Sequence, residues 1–257
     1  MNKRRVGNAS ASVALEPPWP NGEPDVPEAA LRPVLAESAP ESAQETASKP
    51  LPRVVFRPTL YTEALKPAID RVIALVALFA LFLPMLAIAA VIVLSMGHPI
   101  LFRQRRIGRS GIPFEMLKFR TMGPDRRVGM LAVIRDRRRT HKSDRDPRHT
   151  RIGRFLRRYS LDELPQLINI VRGDMSVVGP RPELESVVAD HYPPGLEQRH
   201  QVRPGLTGPW QISARGDGPM HLNGARDLEY VERISFGTDL LILLRTPMAL
   251  FGMNAGR

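Results

Sequence analysis

The chain has 257 residues, 37 Lys and Arg against 26 Asp and Glu, and a net charge of +11. Its length permits one large domain or two small ones around a real apolar core. The lack of cysteine excludes disulfides and thiolate metal sites, and the six histidines show no HExxH or similar ligand spacing, which argues against a zinc centre.

Residues 1–60 contain ten prolines, few aromatics, and seven basic against seven acidic residues. That composition buries too little apolar surface to offset chain ordering, and it predicts a disordered N-terminal tail. No apolar stretch follows the early NKRR, so a cleaved secretory signal is not expected.

Residues 72 to 94, VIALVALFALFLPMLAIAAVIVL, carry no charge. At about 1.5 Å per residue a straight helix of this length reaches roughly 34 Å, enough for a hydrocarbon core of roughly 30 Å. Pro84 stands near the middle, where a helix loses a hydrogen bond and meets a steric clash. Basic residues flank both ends: Arg53, Arg57, Lys66 and Arg71 before, Arg103, Arg105, Arg106 and Arg109 after. The positive-inside rule would hold either flank in the cytoplasm, and both can stay there if the segment enters, bends at Pro84 and leaves by the same face. A kinked single pass is the alternative.

The next stretch, PILFRQRRIGRSGIPFEMLKFRTM, predicts a hairpin, with β-prone runs at Ile100–Phe102 and Phe114–Phe119 and a reversal at GRSG, 108–111. Lys118 and Arg120, two apart, would share one side of the second strand and make a phosphate clamp. Residues 124–149 read as a basic loop with one helical stretch near GMLAVIRDRRR. From Arg103 to Arg158 there are nineteen Lys or Arg against five Asp or Glu. Such a block either draws polyanions (nucleic acid, anionic lipid, phosphorylated substrates) or forms a solvated basic face.

Residues 152–171 show helical periodicity through Phe155, Leu156, Leu161, Leu164, Leu167, Ile168 and Val171. An acidic pair, Asp162 and Glu163, interrupts the arginines. Ser160 and Glu163 fit a capping box, although Pro165 sits badly in that register; with Asp162 as N-cap, Pro165 falls where the N–H is unpaired anyway. In either register both acids lie at the positive end of a helix dipole. Further on, GDMSVVGPRPE lacks the spacing of a phosphate-binding P-loop and reads as a tight turn, as does PGLTGPWQ with Trp210 packed beside it. Two short helices, near ARDLEYVERI and TDLLILLRTPMALF, close the chain; the second carries an apolar cluster, Leu240–Leu244, for packing or for a membrane surface.

The segments KFRTM (118–122), DPRHTRIGRFLRRYSLDELPQLINIVRGDMSVVGPRPE (146–183) and VRPGLTGPWQISARG (202–216) resemble the bacterial sugar transferases, the monotopic polyprenyl-phosphate phosphoglycosyltransferases. The resemblance runs from about Lys66 to the final GMNAG. It implies a re-entrant membrane helix broken near a central proline, here Pro84, and transfer of a sugar 1-phosphate from a UDP-sugar to polyprenyl phosphate (undecaprenyl phosphate), releasing UMP. It implies an Asp-Glu dyad at Asp162 and Glu163, in which Asp162 attacks the β-phosphorus and forms a phosphosugar ester that the lipid phosphate displaces. Magnesium is the implied cofactor, with Asp162 also its ligand, and Glu163 would position metal or handle a proton. Arg157 matches a family arginine; with Arg181 of GPRPE, Arg120 and Lys118 it is a candidate for binding substrate phosphates. Asp227, Tyr230 and Asp239 match recurrent positions without an assigned chemistry.

The chain departs from the pattern at Leu83, where many members have serine, and in the arginine-rich loop after Met122, where acidic residues are common and headgroup binding is the better expectation. The rival reading is a non-catalytic, membrane-tethered basic module that binds anionic lipid or nucleic acid. It leaves the acidic dyad unexplained, and an aromatic content of 6% is poor for base stacking, so no nucleic acid is expected. The expected fold is mainly α with a short β-hairpin (α+β): tail 1–60, re-entrant helix 61–98, cytosolic catalytic domain 99–257. Its expected setting is the cytoplasmic face of the bacterial inner membrane, among anionic headgroups. Self-association and contact with downstream glycosyltransferases stay open.

Overall fold

The structure, a computed structural model, describes residue 51 and residues 53–123, 150–213 and 224–251. Most of the expected tail and the arginine-rich segment 124–149, with its expected helix, lie outside the described residues. The end of the expected tail lies within them and is packed. Val54 is buried with Leu196, Val202, Leu228 and Val231. Gln198 Oε1 accepts its N–H at 2.6 Å, while Gln201 donates to the Val54 carbonyl and accepts from Phe56 N–H at 3.2 and 3.1 Å. A carboxamide offering donor and acceptor together stands in for a neighbouring strand, so this extended backbone is satisfied without a sheet.

A π-helical turn, Tyr61–Leu65, leads into α1, Lys66–Ala80, and α2, Phe82–Met96. The pair is bent by 63°. The break falls at Leu81, one turn before the proline. Pro84 has no N–H for the Ala80 carbonyl and its ring would collide with that oxygen, so it fits only the first turn of a new helix. Leu81 N–H still reaches Ala77 and Met85 N–H reaches Leu81, both at 2.8 Å. The ladder is therefore kept around the break by backbone alone, and Leu83 in place of a hydroxyl residue is tolerated. Among the described residues no single helix is long and apolar enough to cross a membrane, but this bent pair together is.

Strands β1, Leu101–Ile107, and β2, Pro113–Phe119, form the expected antiparallel hairpin, Leu101 opposite Phe119 and Ile107 opposite Pro113, with the reversal at Arg109–Gly111. The expected helix 152–171 is two pieces, α3, Arg151–Arg158, and α4, Gln166–Arg172, separated by a 3-10 turn at Leu161–Glu163. Ser160 adopts φ +55°, a left-handed conformation that ends the first helical segment, and Pro165 takes the cap position of α4. Two strands absent from the sequence reading follow. β3, Ser176–Val178, pairs in parallel with β4, Gly205–Thr207, beyond α5, Glu185–His191, and a 3-10 segment, Leu196–Gln201. The pairing is tight because Gly205 lacks a side chain: a Cβ there would lie 2.1 Å from Gly179 N. The chain continues through α6, Pro209–Ser213, to α7, Ala225–Arg233, and α8, Phe236–Phe251, the two closing helices that the sequence predicts.

Each half of the bent pair buries one narrow stripe. Ala74, Ala77 and Leu78 of α1, with Leu81 at the break, pack on Leu167, Ile170, Met175 and Ile242. Met85, Ile88, Ala89, Ile92 and Met96 of α2, at helical spacing, pack on Phe119 and Leu156. The opposite faces leave large apolar side chains bare, with Phe79 and Leu94 each 87% exposed. Polar groups, by contrast, are buried at the base of α1. Lys66 Nζ meets Asp239 at 2.6 Å, Asp239 also accepts the Tyr61 and Tyr230 hydroxyls at 2.6 Å, and Ser176 donates to Asp70 at 2.5 Å. This network ties α1 to α7, α8 and β3. Asp239→Ala leaves the Lys66 ammonium with only the longer contact to Asp70, at 3.5 Å, strips the Tyr61 and Tyr230 hydroxyls of an acceptor, and should cost about 3 kcal/mol in detergent-solubilised thermal unfolding. A Lys66→Met/Asp239→Leu double variant should recover only part of it, since the Tyr61 and Tyr230 hydroxyls and the Asp70 carboxylate still lose a partner; if the single change costs nothing, the network does not anchor α1.

Candidate active site

The acidic dyad lies on the 3-10 turn between α3 and α4, and its two carboxylates have separate surroundings. Glu163 Oε1 accepts from Lys118 Nζ of β2 at 2.8 Å and from Arg181 Nη2, just beyond β3, at 3.1 Å. The three side chains are nearly enclosed, 15 to 21% exposed. Burial opposes the charge on Glu163, yet Lys118 and Arg181 more than offset it and hold the carboxyl well below the usual range. Burial likewise draws the Lys118 ammonium down against the pull of Glu163, whereas for Arg181 that pull overrides burial and raises it. Two cations converge on one carboxylate in a confined place, with Asp162 also acting on both, which gathers donors of the kind that bind phosphate oxygens beside the dyad. The capping box does not form: no side chain caps this turn, and Glu163 is committed to its cations.

Asn169 of α4 sets Lys118 in place. Its Oδ1 accepts Leu117 N–H at 3.0 Å and its Nδ2 donates to the Glu115 carbonyl at 2.7 Å, so one carboxamide takes the free edge of β2. Arg181 is fixed from the backbone outward. Successive carbonyls of Pro180, Arg181, Pro182 and Glu183 accept from Gly205 N–H, Arg199 Nη2, Arg106 Nη1 and Ile107 N–H, at 2.9, 2.7, 3.1 and 3.0 Å. The prolines fix φ at their own positions, and these bonds hold the rest of the loop. The Arg181 guanidinium carbon lies 5.7 Å from the Trp210 ring centre.

Asp162, next to Glu163, keeps 9% of its surface exposed. Arg157 Nε donates to Thr121 Oγ1 at 2.9 Å, which places it between α3 and the end of β2. Arg154 and Arg158 are on the exposed side of α3. Arg120 is not with Lys118. It lies beyond the end of β2, where its guanidinium donates to the His98 carbonyl at 2.6 Å and to the Met96 carbonyl, closing the C-terminal end of α2. The expected Lys118–Arg120 clamp is thus replaced by Lys118 and Arg181, because helix-end carbonyls capture Arg120. Sequence reading missed Asn169, Arg199 and the partnership of Lys118 with Arg181; the only signal for the last is that both are cations flanking an acid far away in the chain.

The bacterial sugar transferase model matches residues 61–253, most of the chain. The chain belongs to the bacterial sugar transferase family. It is 43% identical over 192 residues to an exopolysaccharide production protein, ExoY, of Sinorhizobium fredii, covering 72% of this chain and 84% of that one. With a UDP-glucose:undecaprenyl-phosphate glucose-1-phosphate transferase of Caulobacter vibrioides it shares 41% over 215 residues, 78% of this chain and 73% of that one. With the Escherichia coli protein of that same description it shares 38% over 189 residues, 71% of this chain but 39% of the longer relative. As a family member this sugar transferase is an enzyme of the phosphoglycosyltransferase class, and the non-catalytic basic module gives way to it.

Glu163→Gln leaves Lys118 and Arg181 without their shared counter-charge and should destabilise the fold by about 3–5 kcal/mol. Because the folded carboxyl lies below its ordinary 4.5, the stability gap between wild type and variant should be constant above about pH 5 and shrink as pH falls below that value. Thermal unfolding from pH 8 to pH 4 measures it, and a gap that widens on acidification contradicts the assignment.

Proposed function

We propose that this sugar transferase moves a sugar 1-phosphate from a UDP-sugar to polyprenyl phosphate, with Asp162 as nucleophile. What carries this reading is the adjacency of Asp162 to a carboxylate that gathers one lysine and one arginine from two other elements. The names of the relatives support the donor and acceptor classes: two are described as moving glucose 1-phosphate from UDP-glucose to undecaprenyl phosphate. An Asp162 oxygen attacks the β-phosphorus, a carboxyl-phosphate bond forms, and the bond to the bridging oxygen breaks so that UMP leaves with the electron pair. A phosphate oxygen of the polyprenyl acceptor then attacks the same phosphorus and expels the carboxylate, which returns Asp162 to its starting form. Lys118 and Arg181 hold phosphate oxygens and balance their charge; Glu163, kept ionised, holds both cations at the correct spacing rather than exchanging a proton. Arg157, near Thr121, is a further phosphate ligand in this scheme.

Among the described residues no three carboxylates or imidazoles converge. With Glu163 committed to its cations, the protein offers Asp162 as the ligand for magnesium, which fits the ion's habit of taking one or two carboxylates and completing its shell with substrate phosphates and water. When bound there it would supply neutralising charge to the diphosphate.

The bent pair supports a re-entrant membrane insertion, with the exposed apolar faces of α1 and α2 in lipid and basic residues on both flanks at the cytoplasmic surface among anionic headgroups. Because the chain has no cysteine, single cysteines introduced at Arg57 and Arg103 can be labelled in inverted and right-side-out vesicles. Both should react from the cytoplasmic side; labelling from opposite sides means a kinked single pass.

Purified protein with magnesium, undecaprenyl phosphate and a panel of labelled UDP-sugars should release UMP with at least one sugar. Asp162→Asn should lower that release by about 10³-fold or more, as loss of a covalent nucleophile does. Undiminished release by the variant rules out the covalent route.

A further inference from the structure

Resting on the transferase reading above, we propose that the buried Arg199–Asp227 pair is a positioning device for Arg181, setting the guanidinium that meets substrate phosphate. The pair sits behind the site, not in it. Arg199 comes from the 3-10 segment Leu196–Gln201 and Asp227 from α7, and their side chains are 1% and 0% exposed.

Arg199 spends its planar fork on three different groups. Nη2 donates to the Arg181 carbonyl at 2.7 Å and to Asp227 Oδ2, and Nη1 donates to the Tyr192 hydroxyl at 2.8 Å. A lysine could neutralise Asp227 but would not present donors in that fixed plane. Asp227 acts on Arg181 by a second path. The backbone amide of Trp210 lies against its carboxylate and favours the charged form, and the Trp210 ring is the one that faces the Arg181 guanidinium. The buried acid therefore reaches the Arg181 carbonyl through Arg199, and the tryptophan that faces the Arg181 guanidinium neighbours the same acid.

Stability alone is a weak reason for such a pair. A fully buried ion pair costs desolvation that well-packed apolar side chains of similar volume avoid. Its placement gives it a further task, because a phosphate-binding group must be held within about 0.5 Å of its productive position by the residues behind it. Every carbonyl from Pro180 to Glu183 has a donor, and two of these donors belong to ion pairs: Arg106, paired with Glu183 at 12 to 13% exposure, serves Pro182, while the carbonyl of Arg181 itself is served by the fully buried pair.

The test is a coupling experiment on the full chain in a Trp19→Phe background, where Trp210 is the remaining tryptophan. Arg199→Lys, and the milder Tyr192→Phe, which removes one anchor of Arg199 and leaves the ion pair, are each made with Arg181 present and with Arg181→Lys. With Arg181 present, kcat/KM for the UDP-sugar should fall about 10- to 100-fold for Arg199→Lys and about 2- to 5-fold for Tyr192→Phe. In the Arg181→Lys background each should cost less than about twofold more, since residues that act through one group are not additive. Losses of equal size in both backgrounds, or an unchanged kcat/KM in Arg199→Lys, overturn the proposal. If the parent turns over none of the UDP-sugars, it is the transferase reading that fails. Trp210 emission then decides the positioning role by itself: a shift on Arg199→Lys that disappears with Arg181→Lys upholds it, and the same shift in both backgrounds refutes it.

Discussion

A single carboxylate oxygen, Glu163 Oε1, is the point on which the catalytic half of this molecule closes. It receives an ammonium from a hairpin strand and a guanidinium from a loop more than sixty residues later in the chain. Each charge would be costly to bury alone, and meeting on one oxygen they offset one another. The surrounding structure keeps the three in reach of one another. Asn169 fastens β2 to α4, Ser160 in its left-handed conformation turns the dyad out of the helical run, and four accepted carbonyls immobilise the loop that carries Arg181. Asp162 then stands beside a fixed field of charge rather than inside a flexible basic surface.

The bent helix pair inverts the usual distribution of polarity. Lys66 and Asp70 are buried, while Phe79 and Leu94 are bare. The inversion is reasonable if protein, not water, surrounds the base of α1 and lipid surrounds its outer face, because a charge is tolerated where partners are supplied and an apolar side chain where water is absent. The Asp239 network supplies those partners, and it also explains why Asp239 and Tyr230 carry no evident chemistry: they anchor a helix. Asp227 is not part of that network, and its bond to Arg199 directs it toward the loop that carries Arg181 instead.

Much of the architecture was legible in the chain itself. The hairpin at GRSG, the uninterrupted apolar run with its proline, the closing helices and the acidic dyad among arginines all rest on local rules: turn chemistry, hydrophobic length, helical period and the oddness of two acids in a basic stretch. The family resemblance followed from the same segments. What local rules could not supply was the fate of each polar side chain. Arg120 and Lys118, two residues apart on one side of a strand, look equivalent in sequence, yet one closes the end of α2 and the other neutralises Glu163. The SxxE pattern at Ser160 predicts a cap, yet stronger partners from distant elements draw the glutamate away. The strand Ser176–Val178 is too short to announce itself, since three residues give no period and its partner lies about thirty positions further on.

The sequence by itself determined that this chain has an apolar segment long enough for lipid, a basic surface, no cysteine chemistry and an acidic dyad in a sugar transferase context. Only the tertiary structure decided that the helix breaks at Leu81, that Lys118 and Arg181 converge on Glu163, and that Arg199 and Asp227 stand behind them. The reason is that period, composition and turn preference are properties of neighbours along the chain. The pairing of buried charges depends on which distant groups the fold brings within about 3 Å, where the gain from pairing is large enough to override local preference.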